Sequence, residues 1–354
     1  MSIWTTISEW YNKAATPQLV GWIPPQHVRP ALVEAPCTAE QCYLRISLVQ
    51  MVLAQSRAWF KDYQPTVQAL TRLKFGNHLV ELPSIAAADP ARFAPGNSVL
   101  TNYHLLDLVP FRGGSLELSL ALIALPGSDK LANGIKALSN VAGLIAAPLS
   151  GVLTFAGKIK ESADLLVGSG AEVHLAYHNT LGSPPAAAGA PAPSHLRNGY
   201  IAIVCADPRV LGGATLVVDG EQLKLWDGAP GSQAQPLLGY DYALLRFEVV
   251  ASRDDLRAFS DLEKLREEAI SAFTKFGDEA GDKAYREALM AIQSHPELIN
   301  ADRRVLAAEL KADCDSYRGS AHGMLQQPRR SWDEFVGALA PATDHAAFQI
   351  AEFT

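Results

Sequence analysis

Alternation of apolar residues with polar or small ones is the sequence feature that most constrains this fold. It is clearest from Ser115 to Leu122, where every second residue is leucine and one side of a strand would be apolar. A similar run begins at Tyr43, and Gly76-Asn77 between two further runs is typical of a hairpin turn. Because short turns connect these runs and no helical pattern separates them, the sequence predicts antiparallel sheets rather than a parallel α/β sheet.

A second block of strand patterns lies between residues 171 and 250, with Asp219-Gly220 as a predicted hairpin turn. Neither this block nor the first, 43–126, has enough strands to enclose a core alone. The two blocks are therefore predicted to form one β-sandwich-like domain over residues 37–252. A Pro-, Ala- and Gly-rich stretch at 182–195 is predicted to be a flexible loop of that domain.

An unusual apolar insertion separates the two blocks. Residues 137–157 are 21 consecutive uncharged positions, a length that would cross a bilayer as a helix. Asn140 and Pro148 interrupt the run, and no cluster of Lys or Arg marks one end. We expect an apolar helical hairpin over 128–168, bent at the proline, and three roles stay open: a buried core element, an oligomer interface, or a latent membrane-active segment.

Beyond residue 252 the charge density rises and the pattern becomes helical. Apolar stripes predict helices at about Asp261–Phe276, Asp282–Ser294 and Ala301–Tyr317, so residues 253–354 are predicted to be a charged helical bundle and tail. At the other end, residues 1–36 are predicted to be an aromatic helix followed by a Pro-rich extended connector. The predicted fold class is therefore α+β, with an antiparallel β-sandwich-like body, an inserted apolar helical hairpin and a C-terminal helical bundle.

Composition excludes several classes of protein. The 354 residues are 48% hydrophobic and 19% charged, which excludes a wholly disordered chain and a polytopic membrane protein. A net charge of -7 argues against nucleic acid as a partner, because phosphate binding needs a concentrated basic surface. The first residues lack the pattern of a signal peptide, so a cytoplasmic location is expected. Cys37 and Cys42 are the one close pair among four cysteines and are expected to be either reduced thiols or a small disulfide or metal clip.

Catalytic signals are weak. The chain has no Gly-x-Ser-x-Gly motif and no phosphate-binding loop. Cys205, at the end of a predicted strand, and Ser169, between two glycines, are the candidate nucleophiles of a cysteine or serine hydrolase that would need a distant histidine. Such a hydrolase is an alternative hypothesis.

Glu172, His174 and His178 would share one face of a predicted strand and are residue types that bind zinc. The two histidines would lie about 13 Å apart along an extended strand, too far to share one ion. We therefore expect a polar sheet face here, and no metal or cofactor.

The leading functional hypothesis is a non-enzymatic interaction or effector protein, with the Ala-, Gly- and Pro-rich composition of a bacterial one. Its partner would be a protein or a second copy of the chain, or a membrane reached after a conformational change. A carbohydrate- or peptide-binding β-sandwich is a further alternative. The candidate interaction residues are the aromatic and aliphatic side chains of the N-terminal helix and the insertion: Trp4, Ile7, Trp10, Leu144, Ile145, Leu149, Val152, Leu153 and Phe155.

Overall fold

The fold is mixed α+β, with mostly antiparallel sheets and a helical C-terminal region, as the sequence predicts. The structure, a computed structural model, describes residues 18–52, 63–75, 78–87, 98–126, 172–182, 195–207, 209, 213–229 and 232–318. The predicted N-terminal helix, the apolar insertion and most of the predicted loop at 182–195 lie outside the described residues.

The first sheet has five antiparallel strands in the order β1-β9-β13-β3-β6. Its strands are β1 (Leu19–Trp22), β3 (Tyr43–Val52), β6 (Ser98–Pro110), β9 (Gly199–Val204) and β13 (Tyr242–Val250). Strand β1 begins ahead of the predicted Pro-rich connector and pairs with β9 at the sheet edge. Four residues are too few for alternation to be recognised, so only the pairing defines this strand.

The second sheet has four antiparallel strands in the order β5-β4-β7-β8. Its strands are β4 (Tyr63–Phe75), β5 (His78–Ala87), β7 (Ser115–Pro126) and β8 (Glu172–Gly182). The predicted β4–β5 hairpin is confirmed, with Phe75 opposite His78. Strands β7 and β8 are neighbours although residues 127–171 separate them, and Ala124 lies opposite Glu172. Both ends of the insertion are therefore attached at the same end of this sheet.

A small sheet has the order β12-β11-β10-β2, in which only the β10–β2 pair is parallel. Its strands are β2 (Val28–Arg29), β10 (Thr215–Asp219), β11 (Gln222–Trp226) and β12 (Gln235–Pro236). Asp219 pairs with Gln222, so the hairpin loop is Gly220-Glu221, one residue later than predicted. Both loop residues have positive φ, 57° and 64°, as in a type I′ turn.

The two large sheets contribute to one hydrophobic core. On β7, Leu116, Leu118, Leu120 and Leu122 are all fully buried in it, which confirms the inward face predicted from their alternation. On β3, Leu44, Ile46 and Leu48 belong to the same cluster, and β13 adds Leu245 and Phe247. The inward face of the second sheet is therefore occupied by the core.

Three α-helices are described: α1 (Ser260–Phe276), α2 (Asp278–Ser294) and α3 (Asn300–Tyr317). Helix α2 begins four residues earlier than predicted, because Gly277 (φ 85°) ends α1 and two acidic residues follow at once in the first turn of α2. None of the helices in the described part of the chain is long and apolar enough to cross a membrane.

The chain divides into two compact units. Among the described residues, the first unit contains everything up to Phe259 together with Ser294–Val305, and the second contains Ser260–Gln293 and the residues from Leu306 onward. Residues 294–305 thus belong with the sheets, whereas the sequence pattern places them in the bundle. Within the second unit, Arg266 of α1 binds Asp313 of α3 through Nε at 2.7 Å and Nη2 at 2.6 Å.

Candidate functional site

The second sheet is buried on its outer face as well as its inner face at one end. On this outer face Thr66, Gln68 and Leu70 of β4, Ala121 of β7 and Ala176 of β8 are no more than 3% exposed. They are neighbours in the ladder, since Gln68 lies opposite Ala121 and Ala121 lies opposite Ala176. We call these five residues the outer patch.

The other end of the same face is polar. Arg72 of β4 binds Glu81 of β5 at 2.7 Å and Glu117 of β7 at 3.4 Å. His178 of β8 is exposed there, and its Nδ1 lies 2.9 Å from the Ser119 hydroxyl. The outer face therefore changes from charged and solvated to buried and apolar within a few residues.

Gln68 is the residue of the outer patch whose polar side chain is buried without a hydrogen-bond partner. Its side chain is 1% exposed, and neither Oε1 nor Nε2 has a hydrogen-bond partner. A buried amide without partners loses its bonds to water and gains none, which costs about 1–3 kcal/mol.

The outer patch lies beside both attachment points of the insertion. Ala121 is followed on β7 by the strand end at Pro126, and Ala176 follows the start of β8 at Glu172. The outer patch therefore lies near the ends of β7 and β8 that border residues 127–171 in the sequence.

Cys205, the predicted nucleophile, is half-buried and packs against the shared core. Burial, with a smaller contribution from the charge of Asp241, raises its pKa to about 11. The thiolate is the reactive form of cysteine, so this shift opposes nucleophilic activation. The other candidate nucleophile, Ser169, lies outside the described residues.

The described residues contain no group of three His, Cys, Asp or Glu side chains placed to hold a metal ion. Of the predicted ligand set, only His178 has a described side chain, and it lies at the polar end of the outer face. Glu172 and His174 belong to β8, but their side chains are outside the description. The same holds for all the predicted interaction residues: Trp4, Ile7, Trp10, Leu144, Ile145, Leu149, Val152, Leu153 and Phe155.

The structure contains two serine–histidine pairs that the sequence analysis did not predict. Ser47 lies 2.9 Å from His104, and Ser119 lies at the same distance from His178, each pair directly opposed across two strands. The serines are on β3 and β7, which have a strand on each side. Because the ladder uses the backbone N–H groups around them, these groups cannot form an oxyanion hole. Only strand register, which the sequence does not reveal, brings these side chains together.

A buried polar cluster holds residues 294–305 to the sheets of the first unit. The Tyr43 hydroxyl donates to Asp302 Oδ2 at 2.6 Å and accepts from the Ile299 N–H at 3.1 Å. Burial and the bond to Asp302 raise the pKa of Tyr43. The Arg253 guanidinium lies over the Tyr43 ring and binds both oxygens of Asp255 at 2.6 Å, which lowers the pKa of that carboxyl.

Comparison of the chain with models of protein families and with curated proteins found no match. Function is therefore inferred from the outer patch, the buried polar groups and the insertion that the patch adjoins.

Proposed function

We propose that this chain is a non-enzymatic interaction protein whose uncharged segment, residues 137–157, is the interaction element. The observation that carries the proposal is the burial of the outer patch beside both attachment points of residues 127–171. In the resting protein the segment occupies the outer patch, and on release it binds a partner.

The outer patch needs an apolar occupant. An antiparallel sheet commonly has one solvated face, and the charged pairs of Arg72 show that this face is solvated at its other end. Apart from the Thr66 hydroxyl and the Gln68 amide the patch is apolar, and it contains no charged group that could pair with a charged side chain of an occupant. An occupant without ionisable residues suits such a surface, and 137–157 is that stretch of the chain.

The proposed packing of the two large sheets explains why the insertion would bind the outer face of the second sheet. We take the two large sheets to be the layers of a sandwich-like body, because their inward side chains share one core. That core leaves no room on the inner face of β4 and β7. The outer face remains available to the insertion, which is attached to β7 and β8 at one end of the sheet.

The chemistry of the described residues supports a non-enzymatic role. The pKa of Cys205 is raised to about 11, and the serine of each serine–histidine pair lies on a strand that is paired on both sides. By contrast, residues 137–157 are 21 uncharged and mostly apolar positions, and exposing apolar surface to water is unfavourable. This favours a role in which the segment is bound to another surface.

A charge placed in the outer patch tests the docking of the segment. We expect Leu70→Glu to increase hydrogen exchange and protease cleavage within residues 137–157, because a buried carboxylate cannot be accommodated against an uncharged partner. The matched control is Lys74→Glu, on the same strand and face but exposed. Retained protection of β3 in both variants shows that the sheets are still folded. Equal protection of 137–157 in the two variants contradicts the docking.

A second measurement tests the interaction itself. Leu70→Glu, and wild-type protein cleaved in the 182–195 stretch, are added to vesicles containing phosphatidylcholine and phosphatidylglycerol and are also studied by light scattering. Dye leakage identifies the partner as a bilayer, and concentration-dependent assembly without leakage identifies it as a second copy. If the released segment produces neither leakage nor assembly, the proposed function is wrong.

A further inference from the structure

The small sheet has one apolar face and one face with polar and aromatic side chains. On the apolar face, Val218 of β10 and Leu223 of β11 are each 1% exposed within a hydrophobic cluster. Because side chains alternate along a strand, Gln222, Lys224 and Trp226 of β11 all lie on the opposite face. Gln222 is exposed there, and Lys224 and Trp226 are half-buried. Solvent therefore reaches this second face.

Trp226 is the aromatic residue of this face. It lies at one end of the β10–β11 ladder, opposite Thr215. Its indole contacts the imidazole of His27, with the ring centroids 6.4 Å apart and the ring planes tilted by 62°. Such an edge contact limits the rotation of the indole and covers less of the ring than parallel stacking does. The indole is thus an aromatic surface that is held in place and partly accessible.

Hydrogen-bonding groups follow the indole along the same face. Lys224 Nζ lies 2.7 Å from Asp219 Oδ2, and Gln222 lies directly opposite Asp219 in the ladder. Lys224 and Gln222 are two and four residues from Trp226, which is about 7 Å and about 13 Å along an extended strand. The ammonium group donates hydrogen bonds, the carboxylate accepts them and the amide does both.

The charges around this face balance. The two cations are Lys224 and Arg29, an exposed residue of β2 that lies opposite Asp219. The two carboxylates are Asp219 and Asp227, which follows β11 and accepts from the Ala229 N–H at 3.0 Å. The bond to Lys224 lowers the pKa of Asp219, so this carboxyl is an ionised acceptor at neutral pH. The face therefore complements a neutral polar ligand better than an ion.

We propose that the face formed by Trp226, Lys224, Asp219 and Gln222 binds a neutral oligosaccharide. A sugar ring has an apolar C–H face that stacks on an indole, and each of its hydroxyls can accept from the lysine and donate to the carboxylate. Because Trp226 and Gln222 lie about 13 Å apart, several linked sugars contact the whole face. A peptide strand would pair with a free sheet edge, whereas the backbone of β11 is already paired on both sides. Sugar binding here requires no release of residues 137–157.

Titration of the full chain with neutral oligosaccharides tests the site. Cellohexaose, maltohexaose, xylohexaose and mannohexaose are added separately up to millimolar concentration, and binding is followed by calorimetry and by the NMR signal of the Trp226 indole N–H. We expect at least one of them to bind and to shift that signal. If none of them binds, or if binding leaves the signal unchanged, the proposal is wrong.

Two comparison ligands test the assigned chemistry. Polygalacturonate represents an anionic sugar chain, and a proline-rich peptide represents a protein partner that could also contact an aromatic surface. We expect both to bind more weakly than the best neutral oligosaccharide. Tighter binding of either one overturns the assignment of a neutral sugar.

Matched variants test the residues. We expect Trp226→Ala to weaken binding by at least about tenfold, because the stacking surface is lost. The control Phe276→Ala, which removes an aromatic side chain that is 75% exposed on α1, should bind as the wild type does. Equal affinity in the two variants contradicts the proposed site.

Hydrogen exchange of the Leu223 amide, which donates to Gln50 Oε1 at 3.1 Å, shows whether the small sheet is still folded in Trp226→Ala. If it is not, Gln222→Leu takes the place of that variant, since Gln222 is exposed and its replacement leaves the packing of the sheet intact. We expect Gln222→Leu to weaken binding by about threefold through the loss of its amide. Unchanged affinity in this variant overturns the proposal.

Discussion

At the scale of single residues, Gln68 is the side chain whose surroundings differ most from its chemistry. A glutamine on the outer face of a sheet is ordinarily solvated, yet this one is buried and its amide has no hydrogen-bond partner. Gln222, in contrast, is an exposed strand residue in the small sheet. The comparison shows that position on a strand does not by itself determine the burial of a glutamine.

Replacing Gln68 tests this interpretation through stability. We expect Gln68→Leu to raise the free energy of unfolding by about 1–2 kcal/mol, because it removes two unpartnered polar atoms and adds apolar contact. Urea unfolding followed by fluorescence measures the difference. The control Gln222→Leu is expected to stay within about 0.5 kcal/mol of the wild type, as for other exposed positions. A loss of stability in Gln68→Leu larger than in the control would show that the outer patch is not an apolar contact.

At the scale of elements, helix α2 shows packing overriding helix propensity. Gly281 lies in the first turns of α2 and is buried, and a Cβ at this position would overlap the ring of Phe273 on α1. Alanine is favoured over glycine inside a helix by about 1 kcal/mol. The glycine is explained by the close approach of the two helices.

We expect Gly281→Ala to destabilise the helical unit by about 1–3 kcal/mol despite its better propensity, because the added methyl group overpacks the α1–α2 contact. Thermal unfolding followed by circular dichroism measures the change. The double variant Gly281→Ala with Phe273→Leu should lose less stability than the two single changes combined, since the smaller side chain makes room for the methyl. Additive effects would show that the ring does not limit the position.

At the scale of the whole molecule, buried tyrosines make stability depend on alkaline pH. Burial raises the pKa of Tyr242 from 10.0 to about 12, and burial with the bond to Asp302 raises that of Tyr43. In each case the folded state keeps its proton at a pH where the unfolded state has lost it. The stabilisation is therefore complete below the unfolded pKa and declines as pH rises from about 10 towards the folded pKa.

We expect the free energy of unfolding to fall between about pH 9 and about pH 12, with about 2 kcal/mol of the fall due to Tyr242. Urea titrations across this range measure it. Tyr242→Phe has no ionisable phenol, so its stability should decline less steeply than that of the wild type. Parallel pH profiles for the two proteins would contradict the role of this tyrosine.

Local pattern was sufficient to predict most of the regular structure. Leu116 and Leu118 fell on the buried face because side chains alternate along any strand, and α1 ended at Gly277 because that residue adopts positive φ at low cost. Strands β1 and β12 were not predicted, since they have only four and two residues and exist through pairing with β9 and β11. The outer patch could not be predicted either, because alternation assigns Gln68 to a solvated face.

The sequence by itself determined the class of fold, the charged helical region and the existence of a long uncharged segment, because these follow from periodicity and composition within short windows. Only the tertiary structure decided which strands are neighbours and which faces of the sheets are buried. Those features join residues far apart in the chain, such as Tyr43 and Asp302, and depend on register and packing. A local sequence pattern indicates which secondary structure and which degree of burial suit each residue. The residues that it contacts are determined by strand register and by the packing of the whole fold.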